Sequence, residues 1–214
     1  MSIIAVVDYG MGNLRSVAKA LEHVAHNQSV IVTSDAQAIE QADRVVFPGQ
    51  GAARDCMKEL SERKLNQVVL KAATEKPFLG ICMGMQVLLA HSEENKGIDC
   101  LGLYPGEVRF FGNDLKDSSG EKLKIPHMGW NQVKQQGEHP LWQGIEDNSR
   151  FYFVHSYYMD PADPALVTAT TEYGIEFVSG IGRDNVFAVQ FHPEKSAADG
   201  LQLLKNFAQW DGKE

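Results

Sequence analysis

Four short apolar runs, each followed by a helix-like segment, constrain the fold of this chain more than any other feature. The runs cover residues 3–7, 29–33, 44–47 and 78–81. Apolar residues at helical spacing follow the first run, polar helical sequence covers about 52–75, and 83–91 reads as a helix that follows the fourth run. This alternation predicts a parallel sheet with helices on both faces.

The second half of the chain has a different pattern. Residues 95–125 are rich in Gly, Asp and Lys and are expected to form loop and hairpin. Strand-like runs at 151–154, 166–170, 176–181 and 186–190 predict antiparallel strands appended to the parallel sheet. A helix is expected near 199–210, and Ser196 and Asp199 have the spacing of a capping box. No linker or repeat divides the chain, which predicts a single domain over 1–214.

Charge and composition exclude several classes of function. The chain has 20 basic and 28 acidic residues, a formal net charge of −8, which disfavours nucleic-acid binding. No apolar run approaches about 20 residues, and no basic signal-peptide region precedes Ile3, so we expect a cytoplasmic protein with no membrane contact. Metal-ligand spacings and a phosphate loop are absent from the sequence, so we expect no metal and no organic cofactor.

The segment G-I-C-M-G-M-Q at 80–86 is the most informative motif. It joins an apolar strand to a helix, and glycines stand two positions before and two after Cys82. That pattern predicts a strand–nucleophile–helix elbow, because the tight turn admits only small neighbours. The helix dipole would stabilise a thiolate there, and the Met83 N–H would point at a developing oxyanion. Cys56, in a helical segment, and Cys100, in a loop, lack this context and are expected to be structural.

A nucleophilic cysteine needs a base, and the base needs a group that orients it. F-H-P-E at 191–194 follows the strand-like run 186–190. His192 and Glu194 are two positions apart, so in an extended backbone both side chains fall on the same side. One imidazole nitrogen could then meet the carboxylate while the other faces Cys82. We therefore predict a Cys82–His192–Glu194 triad.

This arrangement resembles the class I glutamine amidotransferases over nearly the whole chain. The segments 80–86 and 191–196 look like that family's nucleophile and His/Glu motifs, and P-G-Q-G-A at 48–52 looks like its glycine-rich loop. The resemblance implies a three-layer, flavodoxin-like fold and hydrolysis of glutamine to glutamate and ammonia.

The resemblance also implies roles for backbone and side-chain groups. Oxyanion contacts are expected from the backbone N–H groups of Gly49, Gln50, Gly51 and Met83. Contacts with the amino-acid end of glutamine are expected at Gln86, His155, Ser156 and Tyr157. Family members often carry a small apolar residue where this chain has Gln50, but a backbone contact tolerates that difference.

Two further segments narrow the resemblance. Residues 8–17 and I-P-H-M-G-W-N at 125–131 look like the glutaminase subunits of imidazole glycerol phosphate synthase. That resemblance implies a heterodimer with a (βα)8-barrel cyclase, which uses the ammonia to convert the formimino ribonucleotide PRFAR to imidazole glycerol phosphate and AICAR. We further hypothesise that the free chain is a poor glutaminase, because ammonia should not be wasted and a flexible 49–51 loop would complete the oxyanion hole only when the partner binds. Interface residues are expected at Asn13, Arg15, Met128, Trp130 and Lys195.

Four other readings stay open at this stage. Gly10, Gly12 and Asp35 form part of a dinucleotide-binding fingerprint, but Arg15 stands where its third glycine belongs. The chain could also be a binding module that has lost its chemistry, another elbow-cysteine hydrolase such as a peptidase, or a paralogue that supplies ammonia to a different pathway.

Overall fold

The computed structural model describes residues 2–213, and its centre is one twelve-stranded mixed sheet. A separate second sheet has two strands.

The strands are β1 Ser2–Val7, β2 Gln28–Thr33, β3 Arg44–Gly49, β4 Phe78–Cys82, β5 Leu89–Ser92, β6 Ile98–Asp99, β7 Tyr104–Phe110, β8 His127–Gln132, β9 Lys134–Gln135, β10 Arg150–His155, β11 Tyr157–Pro161, β12 Val167–Glu172, β13 Glu176–Arg183 and β14 Val186–Val189. The helices are α1 Leu14–Val24, α2 Ala36–Gln41, α3 Ala53–Glu62, α4 Asn66–Glu75, α5 Met83–Gln86 and α6 Ala197–Gln209. Short 3-10 turns lie at Glu94–Lys96, Pro140–Trp142, Pro164–Leu166 and Pro193–Lys195.

The strand order in the large sheet is β2-β1-β3-β4-β14-β13-β11-β7-β5-β6, with β12 and β9 attached beside β13. The separate two-stranded sheet joins β8 to β10.

The central parallel strands β1, β3, β4 and β14 are buried on both faces because helices cover each side of the sheet. Ile4 and Val6 of β1 pack in one core cluster with residues of α1 and α6. Val7 belongs to the opposite cluster, which also holds residues of α2, α3 and α4. Successive side chains of a strand point to opposite faces, so apolar runs suit this layered position. The predicted α/β fold class, with helices on both faces of the sheet, is confirmed.

The antiparallel part of the sheet differs in detail from the sequence prediction. Strands β12 and β13 extend the sheet beyond β14, as expected, and β11, which the sequence did not predict, continues it. Strand β14 was predicted as an appended antiparallel strand, but it also pairs in parallel with β4 and so belongs to the parallel part of the sheet. The prediction for 151–154 was wrong in its placement, because β10 pairs with β8 in the separate sheet. The region 95–125 also contains β7, a full strand between β11 and β5, beside the expected hairpin at Lys116 and Lys122.

The predicted helix over 83–91 was wrong as well. Helix α5 ends at Gln86, and β5 pairs with β7 from Leu89 onward. Val87, Leu88 and Leu89 are all fully buried, so the run has no solvent face that would favour a helical pattern. Hydrogen bonding to β7, which is distant in sequence, decides the conformation.

Three parallel strands end at the same edge of the sheet. Gly49 of β3 lies opposite Cys82 of β4, and Val189 of β14 lies opposite Ile81. The residues that follow these strand ends therefore gather at one place, as is typical of functional sites in open α/β sheets.

Candidate active site

Cys82 occupies the turn between β4 and α5 in a strained backbone conformation. Its φ is 55° and its ψ is −112°, a region that non-glycine residues rarely adopt. A Cβ on Gly84 would lie 1.8 Å from the carbonyl oxygen of Phe47, and one on Gly80 would lie 2.9 Å from the carbonyl oxygen of Gly84. Both glycines are therefore required by close packing, and the turn holds Cys82 at the edge of a cavity.

His192 and Glu194 lie beside this turn because β14 runs parallel to β4. The His192 Nδ1–H donates to Oε1 of Glu194 over 2.9 Å, and both side chains are almost fully buried. The other ring nitrogen, Nε2, is buried and has no hydrogen-bond partner among residues 2–213. His192 and Cys82 line the same cavity, so the structure brings the three predicted residues together.

The surroundings of His192 favour its protonated form. Burial by itself lowers the pKa of the imidazole, but interaction with Cys82, followed by the hydrogen bond and charge of Glu194, outweighs it. The net result is a pKa raised to about 10. An imidazolium between two potential anions is the charge arrangement expected of a thiolate–imidazolium pair.

Ser196 has a different role from the predicted helix cap. Its hydroxyl donates to the carbonyl oxygen of His192 over 2.6 Å and accepts from the Tyr152 N–H over 3.0 Å. It makes no side-chain hydrogen bond to the start of α6, so the capping box with Asp199 was wrong. The hydroxyl is buried and both of these hydrogen bonds hold it, which anchors the segment that carries His192.

The glycine-rich loop after β3 borders the same cavity. Gln50, Gly51 and Met83 line the cavity with Cys82, whereas Gly49 is not among the lining residues and pairs with Cys82 across the strands. A Cβ on Gly49 would lie 2.4 Å from the Tyr9 hydroxyl, so the loop starts from a tightly packed point.

The cavity has a volume of about 400 Å³, which suits a small polar molecule. All four predicted glutamine-binding residues line it: Gln86, His155, Ser156 and Tyr157. The Gln86 Nε2 group donates to the Tyr157 carbonyl oxygen over 2.9 Å and to Gln190 Oε1 over 2.8 Å. Both of its N–H groups are thus engaged, and only its Oε1 remains to accept a ligand hydrogen bond.

Two residues near the cavity were missed by the sequence analysis. Glu94 lines the cavity, and its Oε2 accepts from the Ala53 N–H at the start of α3 over 2.6 Å. Burial outweighs that hydrogen bond and raises the pKa of Glu94. Gln190 is fully buried beside Cys82. Glu94 belongs to no motif, whereas Gln190 directly precedes F-H-P-E and its adjacency was an available signal.

His127 and His155 form a buried chain of hydrogen bonds behind the cavity. The His155 Nδ1–H donates to the Tyr157 carbonyl oxygen over 2.8 Å, so its Nε2 accepts from the His127 Nδ1–H over 3.0 Å. The Asn131 amide in turn donates to His127 Nε2 over 3.3 Å. Burial lowers the pKa of His127 to about 4 and that of His155 to about 3, so both rings are neutral.

The predicted interface residues lie around the same end of the fold. Met128 and Trp130 are 61% and 44% exposed, which is unusual for such large apolar side chains. Trp130 meets the Tyr152 ring edge-on, and the Lys195 ammonium lies 5.8 Å from the centre of that ring. At the start of α1, Arg15 is exposed and Asn13 is half-buried.

The residues that resemble part of a dinucleotide-binding fingerprint have structural roles. Asp35 caps α2 by accepting from the Gln37 N–H, and Gly12 packs against Gly49. Within residues 2–213 no group of three or more His, Cys, Asp or Glu side chains is placed to hold a metal ion. No helix in that range has both the length and the apolar character that crossing a bilayer requires.

An elbow cysteine, a histidine–carboxylate pair and an adjoining glycine-rich loop on this fold define a class I glutamine amidotransferase. The family model described as glutamine amidotransferase class-I matches residues 5–210, and the chain belongs to that family. Within it, the chain is similar to the imidazole glycerol phosphate synthase subunits HisH. It is 58% identical to that of Pseudomonas putida over 213 residues, which cover 100% of both chains. It is 61% identical to that of Dechloromonas aromatica, over 97% of this chain and 96% of that one.

Solved structures agree with the fold. PurLQS from Thermotoga maritima matches with a TM-score of 0.71 and 20% identity, over 97% of this chain and 98% of that one. A protein described as a glutamine amidotransferase, also from Thermotoga maritima, matches with a TM-score of 0.60 and 20% identity, over 92% and 78% of the two chains. At these identities the likeness concerns the fold alone.

Proposed function

We propose that this chain is the glutaminase subunit of an imidazole glycerol phosphate synthase. It hydrolyses glutamine at Cys82 and passes the ammonia to a partner subunit. The observation that carries the proposal is the shared cavity, which Cys82 and His192 both line while Glu194 engages the opposite side of the imidazole. Residues 1–214 act as one glutaminase domain, since the family match spans 5–210 and both core clusters pack on one sheet.

In the first half-reaction the Cys82 thiolate attacks the side-chain amide carbon of glutamine. A C–S bond forms, and the negative charge moves to the amide oxygen, which the backbone N–H groups of Met83 and the 49–51 loop stabilise. His192 then gives a proton to the departing nitrogen, the C–N bond breaks, and ammonia leaves a thioester. Glu194 stabilises the imidazolium and keeps its Nε2 directed away from the carboxylate.

In the second half-reaction His192 takes a proton from water, which attacks the thioester. The C–S bond breaks, its electron pair returns to the sulfur of Cys82, and glutamate is released. The histidine thus serves as acid and then as base. Its raised pKa keeps it protonated before the attack, so the proton for the acid step is already in place.

The polar groups at the far end of the cavity match the amino-acid end of glutamine. The free Oε1 of Gln86 and the carboxylate of Glu94 are acceptors for the α-ammonium group. Backbone groups of the segment 155–157, which also lines the cavity, hold the α-carboxylate.

The partner is a (βα)8-barrel cyclase that binds the docking surface, defined as Met128, Trp130, Asn13, Arg15 and Lys195. Met and Trp are enriched at interface centres, and both are exposed here. The barrel uses the ammonia to convert PRFAR to imidazole glycerol phosphate and AICAR. The complex acts in the cytoplasm.

Partner binding activates the glutaminase through the glycine-rich loop. Gly51 has a φ of +87°, and a Cβ there would lie 2.9 Å from the Met11 side chain, so the loop packs against the segment that leads into α1. Contact at Asn13 and Arg15 can therefore change the loop. A missing oxyanion donor is worth roughly 10²–10³ in rate, which sets the scale of activation.

The test is glutamate release by the chain alone and with a purified cyclase barrel and its nucleotide ligand. We expect weak activity alone, strong activation by the complex, and no activity in Cys82→Ala. The variant Cys100→Ser is a matched control, because this half-buried thiol lies outside the cavity lining. High activity that the barrel does not change would contradict the partner coupling, and inactivity under every condition would contradict the glutaminase itself.

A further inference from the structure

Gln190 lies at hydrogen-bond distance from the sulfur of Cys82, outside the predicted triad. Strand β14 ends with Val189 opposite Ile81 of β4. The residues that follow them, Gln190 and Cys82, are therefore neighbours. The Gln190 Nε2 group is 3.6 Å from Cys82 Sγ, a normal distance for an N–H···S hydrogen bond. The side chain is fully buried, so this N–H group has no access to water as an alternative partner.

The orientation of the Gln190 amide follows from its neighbours. The Tyr157 carbonyl oxygen can only accept, so the Gln86 atom 2.9 Å from it is the amide nitrogen. That nitrogen also donates to the nearest atom of Gln190, which must be the oxygen. The nitrogen of Gln190 therefore faces the sulfur. A backbone carbonyl sets the direction of the whole chain of donors, which runs from Gln86 through Gln190 to Cys82.

We propose that Gln190 donates a hydrogen bond to the Cys82 thiolate and that this donor sets the reactivity of the nucleophile. The proposal rests on the proposed function, in which Cys82 forms the thioester. A buried thiolate needs donors, and hydrogen bonds to charged groups are about twice as strong as neutral ones. The imidazolium of His192, in the same cavity lining, supplies a positive charge, and the Gln190 amide supplies a direct hydrogen-bond donor.

The donor acts at two points of the reaction. Before attack it favours the thiolate over the thiol and holds the sulfur between the amide and the imidazole. When the C–S bond of the thioester breaks, the returning electron pair restores the negative charge on sulfur, and the amide N–H receives it. Gln86 donates to Gln190 and, in the proposed function, accepts from the α-ammonium group of glutamine. Bound glutamine therefore also holds the Gln190 amide in place against the nucleophile.

The test measures the reactivity of Cys82 directly, without glutamine turnover. The rate of alkylation by iodoacetamide is followed at the Cys82 peptide by mass spectrometry between pH 5 and pH 10. Gln190→Glu keeps the side-chain shape and the acceptor for Gln86, but places a carboxylate against the sulfur. Gln190→Met removes the donor without adding charge. Gln28→Met is the matched control, since its amide donates to the carbonyl oxygen of Ala208 away from the cavity.

We expect the midpoint of the alkylation curve to rise by about one pH unit or more in Gln190→Glu and by less in Gln190→Met, which corresponds to about tenfold slower alkylation of the charged variant at pH values below both midpoints. Gln28→Met keeps the original curve. Thermal melts verify that the variants are folded. If Gln190→Met does not fold, Gln190→Glu alone decides the question.

Unchanged curves in the folded Gln190 variants would overturn the proposal. A parallel assay of glutamate release separates it from the proposed function. If the wild-type complex releases no glutamate while the alkylation midpoint still shifts, the glutaminase fails and the Gln190 donor stands. If glutamate release is normal in the wild type and the midpoint does not move, the donor fails and the glutaminase stands.

Discussion

Nδ1 of His192 lies 2.9 Å from Oε1 of Glu194, and the two side chains are among the least exposed charged groups that the structure describes. The carboxylate occupies one side of the imidazole and leaves Nε2 for the cavity. Burial by itself disfavours the imidazolium, so its stability depends on the two acidic groups beside it, Cys82 and Glu194.

The first prediction concerns the pKa of His192. In Cys82→Ala and in Glu194→Gln the pKa falls from about 10 by one unit or more, because burial lowers it and each variant removes one of the opposing interactions. NMR titration of the imidazole measures the change. His26→Gln, which replaces an exposed residue, is the control and leaves the His192 titration unchanged. A pKa that stays near 10 in both variants would contradict the assignment.

The second prediction concerns selective alkylation. At pH 7 iodoacetamide modifies Cys82 at least about 100-fold faster than Cys56 or Cys100. Burial raises the pKa of the Cys56 thiol to about 12 and that of Cys100 to about 11, so both remain protonated. Mass spectrometry of the three peptides gives the rates. Comparable rates at all three cysteines would show that the cavity does not activate Cys82.

The third prediction concerns the elbow. Gly84→Ala destabilises the fold by at least about 3 kcal/mol, because its Cβ would lie 1.8 Å from the Phe47 carbonyl oxygen. Gly120→Ala is the matched control: its φ is +86° but no atom lies within 4 Å of the added carbon. It costs only about 1–2 kcal/mol of conformational strain. Urea unfolding of both variants measures the difference, and equal costs would argue against close packing at the elbow.

The fourth prediction concerns stability in acid. Burial lowers the pKa of His127 and His139 to about 4 and that of His155 to about 3. Below about pH 6.5 these histidines bind protons in the unfolded chain but stay neutral in the folded chain. The free energy of unfolding therefore carries no cost from these residues above that pH, and it decreases as the pH falls below it. Each buried histidine lowers the free energy of unfolding by about 1.4 kcal/mol per pH unit between 6.5 and its own pKa.

Urea unfolding at pH 7.5 and pH 5.5 checks this prediction. In the wild type, Nδ1 of His139 accepts a hydrogen bond from the Leu141 N–H. The variant His139→Asn keeps an acceptor for that N–H group but cannot titrate. It should lose less stability than the wild type between the two pH values, whereas His26→Gln should lose as much as the wild type. Equal losses in all three proteins would contradict the role of His139.

The fifth prediction concerns the docking surface. Trp130→Ala weakens binding of the cyclase barrel at least about 30-fold, as expected of a large residue at an interface centre. Val32→Ala is the control, because Val32 is equally exposed at 44% but lies on β2 at the far edge of the sheet. Calorimetric titration with the barrel gives both affinities. Equal affinities would place the partner elsewhere on the molecule.

Part of the fold and site could be read from local sequence alone. Apolar runs predicted β1, β3 and β4, because buried parallel strands must be apolar on both faces. The run that forms β14 was predicted as a strand, but not as a parallel one. The glycines around Cys82 predicted the elbow, since a tight strand-to-helix turn excludes larger side chains. The spacing of His192 and Glu194 predicted that the two side chains would meet, although the contact forms across a 3-10 turn at Pro193–Lys195 and not along the extended backbone that the prediction assumed.

Other features depend on contacts between distant segments. The run after Gln86 forms strand β5 because β7 pairs with it. The Ser196 hydroxyl binds the His192 carbonyl and the Tyr152 N–H, a partner 44 positions away in the chain, instead of capping α6. Glu94 lines the cavity and Gln190 contacts Cys82 only once segments far apart in the chain have packed together.

The sequence by itself therefore determined the alternating elements, the family and the residues whose roles follow from short-range geometry. The tertiary structure decided the register of the strands, the partners of buried polar groups and the direction of the amide chain that reaches Cys82. The physical reason is that buried donors and acceptors must be paired, and the chain meets its buried partners only after it has packed.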